Sequence, residues 1–144
     1  MKVVCNIDVG KVLQRRGLQA GGYAQRLFTM ECAMAMDRYV PMQIGTLKNT
    51  RFVGDNYVKY NQPYAHYQYF GILYVDPVYK KGCFYDPRTG RVWSRPGVKK
   101  VASDRALTYH GAPVRGKEWD RRMWADQKTR LLRSVAKACG GRAK

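Results

Sequence analysis

The sequence predicts a single α+β domain. It should hold an antiparallel sheet packed with a long helix in the N-terminal half and a long C-terminal helix, plus an extended loop. Three observations predict this. Two segments, Gly22–Tyr39 and Lys117–Ala138, carry apolar residues at helical spacing. Between them lie short aromatic and β-branched runs bounded by turn residues, the mark of strands. The two kinds of element do not alternate strictly, which argues against a doubly wound parallel sheet. The 144 residues suit one domain, for which about 100–200 is usual.

Along the chain, Val3–Val9 reads as a short strand or arm, and Gly10–Gln19 is mixed. Gly21 and Gly22 then open the first long helix. Tyr23, Leu27, Met30 and Met34 recur at steps of four, three and four and line one face, widened by Phe28 and Ala35. This stripe reads as core; an adaptable methionine binding surface is the alternative. Pro41 ends the helix, because the residue before a proline is pushed out of the helical region. Gly45-Thr46-Leu47 reads as a tight turn leading into a short helix. Thr50–Val53 and Tyr57–Tyr60, separated by Gly54-Asp55-Asn56, read as a β-hairpin. Pro63 can start a further helical turn, which Gly71 ends.

Residues Ile72–Gly97 differ in kind. Asp76-Pro77, Lys81-Gly82, Asp86-Pro87, Thr89-Gly90 and Pro96-Gly97 supply dense turn chemistry. Among them stand Tyr74, Tyr79, Phe84, Tyr85 and Trp93. The segment reads as an extended hairpin or long loop, and these five aromatics are the candidate docking surface. Val98–Tyr109 gives a weak strand or short-helix signal. In the C-terminal helix, Trp124, Leu131, Val135 and Ala138, extended by Trp119 and Met123, define the apolar stripe. Arg121, Arg122, Lys128, Arg130, Arg133 and Lys137 are assigned to an opposite, basic face. Gly140-Gly141 stops the helix.

Charge narrows the function. Lys and Arg number 27 against ten Asp and Glu, giving +17. Residues 1–97 hold 14 basic and 6 acidic side chains; residues 98–144 hold 13 and 4. Such an excess favours polyanions or acidic partners. Cys5, Cys32, Cys83 and Cys139 show no CxxC spacing, and the histidines are only His66 and His110. No metal or cofactor is therefore expected, and the cysteines read as free thiols. No apolar run approaches the roughly 18 residues of a membrane span, and Met1–Gly10 lacks the long apolar core of a signal peptide.

Catalytic constellations are sparse. Glu118 and Asp120 sit two apart at a helix start, where negative charge is favoured in any case. His66 is the one plausible general base. It has no carboxylate nearby in sequence, and Tyr64, Tyr67 and Tyr69 around it suggest an aromatic patch. An enzyme is not expected. Nucleic-acid binding is the stronger rival. Aromatics interleave with cations in Tyr79–Tyr85 and Arg91–Arg95, the pattern for stacking plus phosphate contact.

Two stretches carry a more specific pattern. Tyr39-Val40-Pro41-Met42-Gln43-Ile44-Gly45-Thr46-Leu47 joins a helix end to a Gly-x-Leu turn. Tyr60-Asn61-Gln62-Pro63-Tyr64-Ala65-His66-Tyr67-Gln68-Tyr69-Phe70-Gly71 then follows a hairpin, with Pro-Tyr-Ala and a glycine six residues past Ala65. Together they resemble the minor capsid or head–tail joining proteins of tailed bacteriophages. The pattern residues here are Pro41, Gly45, Leu47, Pro63, Tyr64, Ala65 and Gly71. Ile44 stands where a threonine is common, and the loop from Gly71 to Arg91 is longer than the pattern leads one to expect. The resemblance spans roughly Gly22 to Val135. It implies a structural part of the virion neck, a ring-forming head–tail joining or tail-completion (terminator) subunit, with six copies by analogy. It further implies connector or stopper and tail tube proteins as partners, possible contact with passing DNA, no membrane, and assembly in the host bacterial cytoplasm.

Overall fold

The computed structural model describes residues 8–42, 45–111 and 113–142. It is α+β, as the sequence predicts. Most of Val3–Val9 lies outside the described residues. The part inside is not a strand: Asp8 caps a short helix, α1 (Val9–Arg15), by accepting the Lys11 N–H at 3.1 Å.

The first long helix, α2 (Tyr23–Met36), starts at Gly22. The Gln25 side chain reaches back to accept the N–H of Gly21, the residue before the cap, at 2.8 Å. At the other end the Arg115 side chain donates to the carbonyls of Asp37 and Val40, serving as the C-terminal cap. Gly45, at φ +85°, turns the chain into α3 (Thr46–Asn49). The hairpin follows as predicted, with β1 (Arg51–Val53) paired to β2 (Val58–Tyr60) in the register Arg51↔Tyr60. Helix α4 (Ala65–Phe70) ends at Gly71, whose φ of +71° lets the chain turn at once into β3 (Ile72–Val75).

β3 pairs not with its neighbour in sequence but with β6 (Val101–Ala106), Val75 opposite Val101. The weak signal over Val98–Tyr109 is thus a strand. Between β3 and β6 the chain makes a small hairpin of its own, β4 (Phe84–Tyr85) with β5 (Val92–Trp93). The last element is α5 (Trp119–Ala138).

The expected single sheet is absent among the described residues. Three separate two-stranded ladders stand in its place. Strands of two or three residues in β1, β2, β4 and β5 are too short to recruit further partners, and dense turn residues cut them off. The body is therefore helical at its centre. Ala35, Met36, Tyr39 and Val40 meet Leu47, Ala65, Trp119, Met123 and Leu131 in one cluster, and Val40 and Leu131 are fully buried. Phe28 of α2 meets Trp124 of α5 edge-on at 6.0 Å.

The stripe assigned to the α2 core is core only in part: Phe28 and Ala35 face the body, and the rest turns outward. Tyr23, Met30 and Met34 are exposed, while Ala24, Thr29, Ala33, Ala35 and Met36 are buried. The methionine periodicity is real, but α2 turns the side of Phe28 and Glu31 to α5, and Thr29 faces the hairpin, donating to the Asp55 carbonyl at 3.0 Å. In α5 the buried residues are Trp119, Met123 and Leu131. Val135 is half-buried, and Trp124 and Ala138 lie at the exposed margin of the stripe.

Candidate functional site

Residues 76–100 form a finger beyond the β3–β6 ladder. Two similar turns build it. In each, an aspartate starts an Asp-Pro step, and its carbonyl accepts the N–H four residues on: Lys80 to Asp76 at 2.9 Å, Gly90 to Asp86 at 2.8 Å. Its own N–H donates to the carbonyl five residues on, Lys81 or Arg91. Its carboxylate accepts the N–H two residues on, Val78 or Arg88. The fifth position of each turn has positive φ, +55° at Lys80 and +69° at Gly90.

The first turn carries a pin. Asp76 is buried and receives Arg95 in two bonds, Nε to Oδ2 at 2.6 Å and Nη2 to Oδ1 at 2.8 Å. Oδ1 also accepts the Tyr79 N–H at 3.0 Å. The Arg95 hydrogen bonds, with the two backbone N–H groups, hold the Asp76 carboxyl well below the usual carboxylate range. The same contact raises Arg95. Its guanidinium lies 5.0 Å from the Tyr79 ring. Asp86 is lowered as well, first by the Thr89 hydroxyl at 2.7 Å. Arg105 of β6 donates to the Lys80 carbonyl and Lys100 to that of Gly82, so the finger is tied down at its base.

The five predicted docking aromatics are divided by this geometry. Phe84 and Trp93 are cross-strand partners and stack at 4.7 Å, with Tyr79 edge-on to Phe84 at 5.5 Å. Tyr85 pairs with Val92, so the strand alternation puts both on the opposite face, and both are exposed. Tyr74 stays on β3, half-buried, 4.8 Å from Tyr67 of α4. Tyr79, Tyr85 and Trp93 remain substantially exposed. Sequence reasoning missed the Asp76–Arg95 pin. The repeated Asp-Pro step was the available signal; nineteen residues separate the partners, and no local pattern links them.

The six basic residues of α5 are all exposed, but they do not share one face. At about 3.6 residues per turn, Arg121 and Lys128 fall on one flank of the buried stripe and Arg122, Arg130, Arg133 and Lys137 on the other. Arg121 pairs with Glu118 at 3.4 Å, and Arg130 pairs with Glu31 of α2 at 3.6 Å. Lys128 lies over Trp124 at 5.8 Å. Glu118 and Asp120 begin the helix, but Glu118 makes no capping bond; Asp120 accepts the Tyr69 hydroxyl at 2.8 Å.

The pattern residues do structural work. Pro41, Leu47 and Ala65 are buried; Gly45 and Gly71 take positive φ. A Cβ on Gly71 would stand 2.7 Å from the Tyr109 hydroxyl oxygen. Pro41, Gly45, Leu47 and the exposed Tyr64 line a cleft of about 360 Å³ beside Gln68 and His110. Pro63 is exposed. His66 is also exposed, 4.7 Å from the Phe70 ring and 5.7 Å from Tyr67. It makes no hydrogen bond or ion pair with a carboxylate among the described residues, so nothing there arms it as a base. Tyr60, the last residue of β2, packs against Trp119 at 5.2 Å, and burial pushes its hydroxyl up to about 12. Cys32, Cys83 and Cys139 are free thiols. No group of three His, Cys, Asp or Glu among the described residues could hold a metal ion, and no helix among them is long and apolar enough to cross a membrane.

Comparison with known families agrees with the motif. A family model described as minor capsid protein matches residues 3–108, from the N-terminal segment through β6. The chain belongs to this minor capsid protein family, and with it to the structural components of the bacteriophage virion. The match ends before α5. Among curated proteins and among solved structures, nothing matches the chain.

Proposed function

We propose that the protein is a ring-forming subunit of the virion neck, a head–tail joining or tail-completion (terminator) part that links the capsid connector to the tail. The observation that carries this reading is the finger in a minor capsid protein: a rigid, pinned projection that offers Tyr79, Tyr85 and Trp93 to solvent. Exposed aromatics on a stiff support are favoured interface anchors, since little entropy is lost when they dock. The finger reaches a neighbouring subunit or the tail tube. Repetition of one such heterologous contact closes a ring; the count of six rests on the resemblance alone. Because Val75 and Val101 are partners, a short turn can replace residues 76–100 and leave β3–β6 intact. In that variant the body should melt as the parent does, while electron microscopy counts unjoined heads and tails. Normal joining would reject the reading.

A second reading has its own observation. Six of the ten acids, Asp8, Glu31, Asp37, Asp55, Asp76 and Glu118, are in ion pairs within the chain. Asp86, Asp120 and Asp126 accept side-chain hydrogen bonds. The excess cations therefore face outward, where an acidic protein surface or the DNA path would neutralise them. If DNA is touched, log affinity should fall linearly with log salt, with a slope of about −0.9 per phosphate contacted. A flat salt dependence would reject both partners, because an acidic protein surface held by these cations is screened by salt as well.

A further inference from the structure

A chain of net charge +17 repels its own copies, so self-association needs a surface without that charge. Helix α2 provides one. Between Tyr23 and Met36 it carries a single cation and a single anion, and both are already paired inside the chain. Arg26 meets Asp55 at 3.2 Å and Glu31 meets Arg130 at 3.6 Å. Just beyond, Asp37 is paired with Arg51, while the exposed Arg38 has no carboxylate partner among the described residues. The outward stripe between these pairs is apolar: Tyr23 is 60% exposed, Met30 52% and Met34 62%, with Leu27 in the same row. Nothing within the described chain covers it.

Helix α1 ends beside Tyr23 and the C-terminal end of α5, where Arg16 donates to the Gly140 carbonyl. None of its seven residues is buried, and Val9, Val12 and Leu13 are exposed on one side of it. It joins α2 through Gly17, whose carbonyl accepts the Ala24 N–H at 3.0 Å. Helices shorter than about 12–15 residues are marginal in water unless an apolar face is packed. An unpacked α1 is thus stable only where something covers it. The α2 stripe itself holds no unpartnered cation; Arg15 and Arg16 at the end of α1, Arg38 beyond α2, and Lys80, Lys81, Arg91, Arg133 and Lys137 of the finger and α5 all lack a carboxylate partner among the described residues, so a like-charged copy is repelled there.

We propose that the Tyr23–Met34 stripe of α2 is the surface on which a second copy of this chain docks. The proposal deepens the ring reading and rests on it only for the identity of the occupant. Flexible methionines suit a contact between copies that also has to accommodate assembly.

The test uses the full chain and reads mass by light scattering over a concentration series. Met30→Glu with Met34→Glu puts two carboxylates into the stripe. We expect self-association to weaken about a hundredfold or more, with an unchanged thermal melt. Arg133→Glu, on α5, should leave it unchanged. A double variant that assembles like the parent overturns the assignment of this face and leaves the ring reading standing. A parent that stays monomeric at every concentration overturns the second copy as occupant and counts against the ring as well. Should the double variant fail to fold, peroxide oxidation of the unmodified protein decides. Met30 and Met34 should oxidise more slowly in the assembled state than in dilute monomer, and equal rates would overturn the proposal.

Discussion

The body and the finger are held together by different physics. In the body, Trp119 is 3% exposed and wedged between Tyr60 and Tyr69, with ring centroids at 5.2 and 5.0 Å. In the finger, Trp93 is 48% exposed and stacks on one neighbour, Phe84. The body is fixed by burial from all sides. The finger buries almost nothing apolar and is fixed by hydrogen bonds to two aspartates. A surface meant to dock elsewhere cannot bury its aromatics at home, so polar pins have to supply its order.

Substitution of the two tryptophans should expose this contrast most strongly. Trp119→Ala removes a fully packed ring and should cost about 3–5 kcal/mol in a denaturant titration. Trp93→Ala should cost no more than about 1 kcal/mol, because only a stacking contact is lost. Equal losses would mean that the finger is part of the folding core. Two glycines give the next contrast. Gly71 and Gly97 both have φ of +71°, so Ala at either carries a backbone penalty of about 1–2 kcal/mol. At Gly97 nothing lies within 4 Å of the new Cβ. At Gly71 the Cβ displaces the Tyr109 hydroxyl from its 2.7 Å bond to the Gln68 carbonyl, adding about 1 kcal/mol. Gly71→Ala should therefore lower the melting temperature further than Gly97→Ala; the reverse order would break the comparison.

What could be read beforehand follows the same division. Elements set by local signals were legible: α2 and α5 from periodicity, the β1–β2 hairpin from Gly54-Asp55-Asn56, the end of α4 from Gly71. Orientation was less so. The Tyr23–Met34 row is apolar and spaced like a core stripe, yet it faces outward. Periodicity locates a stripe but does not say whether a core or another molecule covers it. Likewise, charge counts found the cations of α5 but could not tell that Arg121 and Arg130 are spent on Glu118 and Glu31. The pairing of β3 with β6 across the whole finger, and the Asp76–Arg95 pin, are long-range and leave no local trace. The Val-Pro, Gly-x-Leu and Pro-Tyr-Ala pattern was legible as a family signature. Its buried and positive-φ members are residues of the fold rather than of a reaction.

Acid should separate the two regions next. The Asp76 carboxyl is depressed in the folded chain, so its contribution is complete above the unfolded value of about 3.9 and is lost only as pH falls below that, through the folded value. Amide exchange at Val78 and Tyr79, whose N–H groups Asp76 accepts, should stay slow through pH 4. Asp76→Asn keeps the size but loses the charge for Arg95, and exchange at both amides should quicken at neutral pH while the core amides of α5 hold. Opening of core and finger together would show that the two are one cooperative unit.

The smallest effect is the sharpest test of how the finger is built. Its two Asp-Pro turns share a hydrogen-bond plan but differ at the left-handed position, where one has Gly90 and the other Lys80. Glycine accepts φ of +55° at no steric cost, whereas a lysine there carries a backbone penalty of about 1 kcal/mol or more. Glycine also gains freedom in the unfolded chain, which offsets about 0.4–1 kcal/mol of the relief. Lys80→Gly should thus protect the Val78 and Tyr79 amides slightly more, with no change in the global melt. The Lys80 carbonyl that Arg105 binds is kept, so the anchor to β6 survives the substitution. If the variant folds with a tighter finger but joins heads to tails less well, the lysine is retained for the charge it presents rather than for the turn it makes. If protection falls instead, the stem of Lys80 packs against the finger, and the two turns are not equivalent.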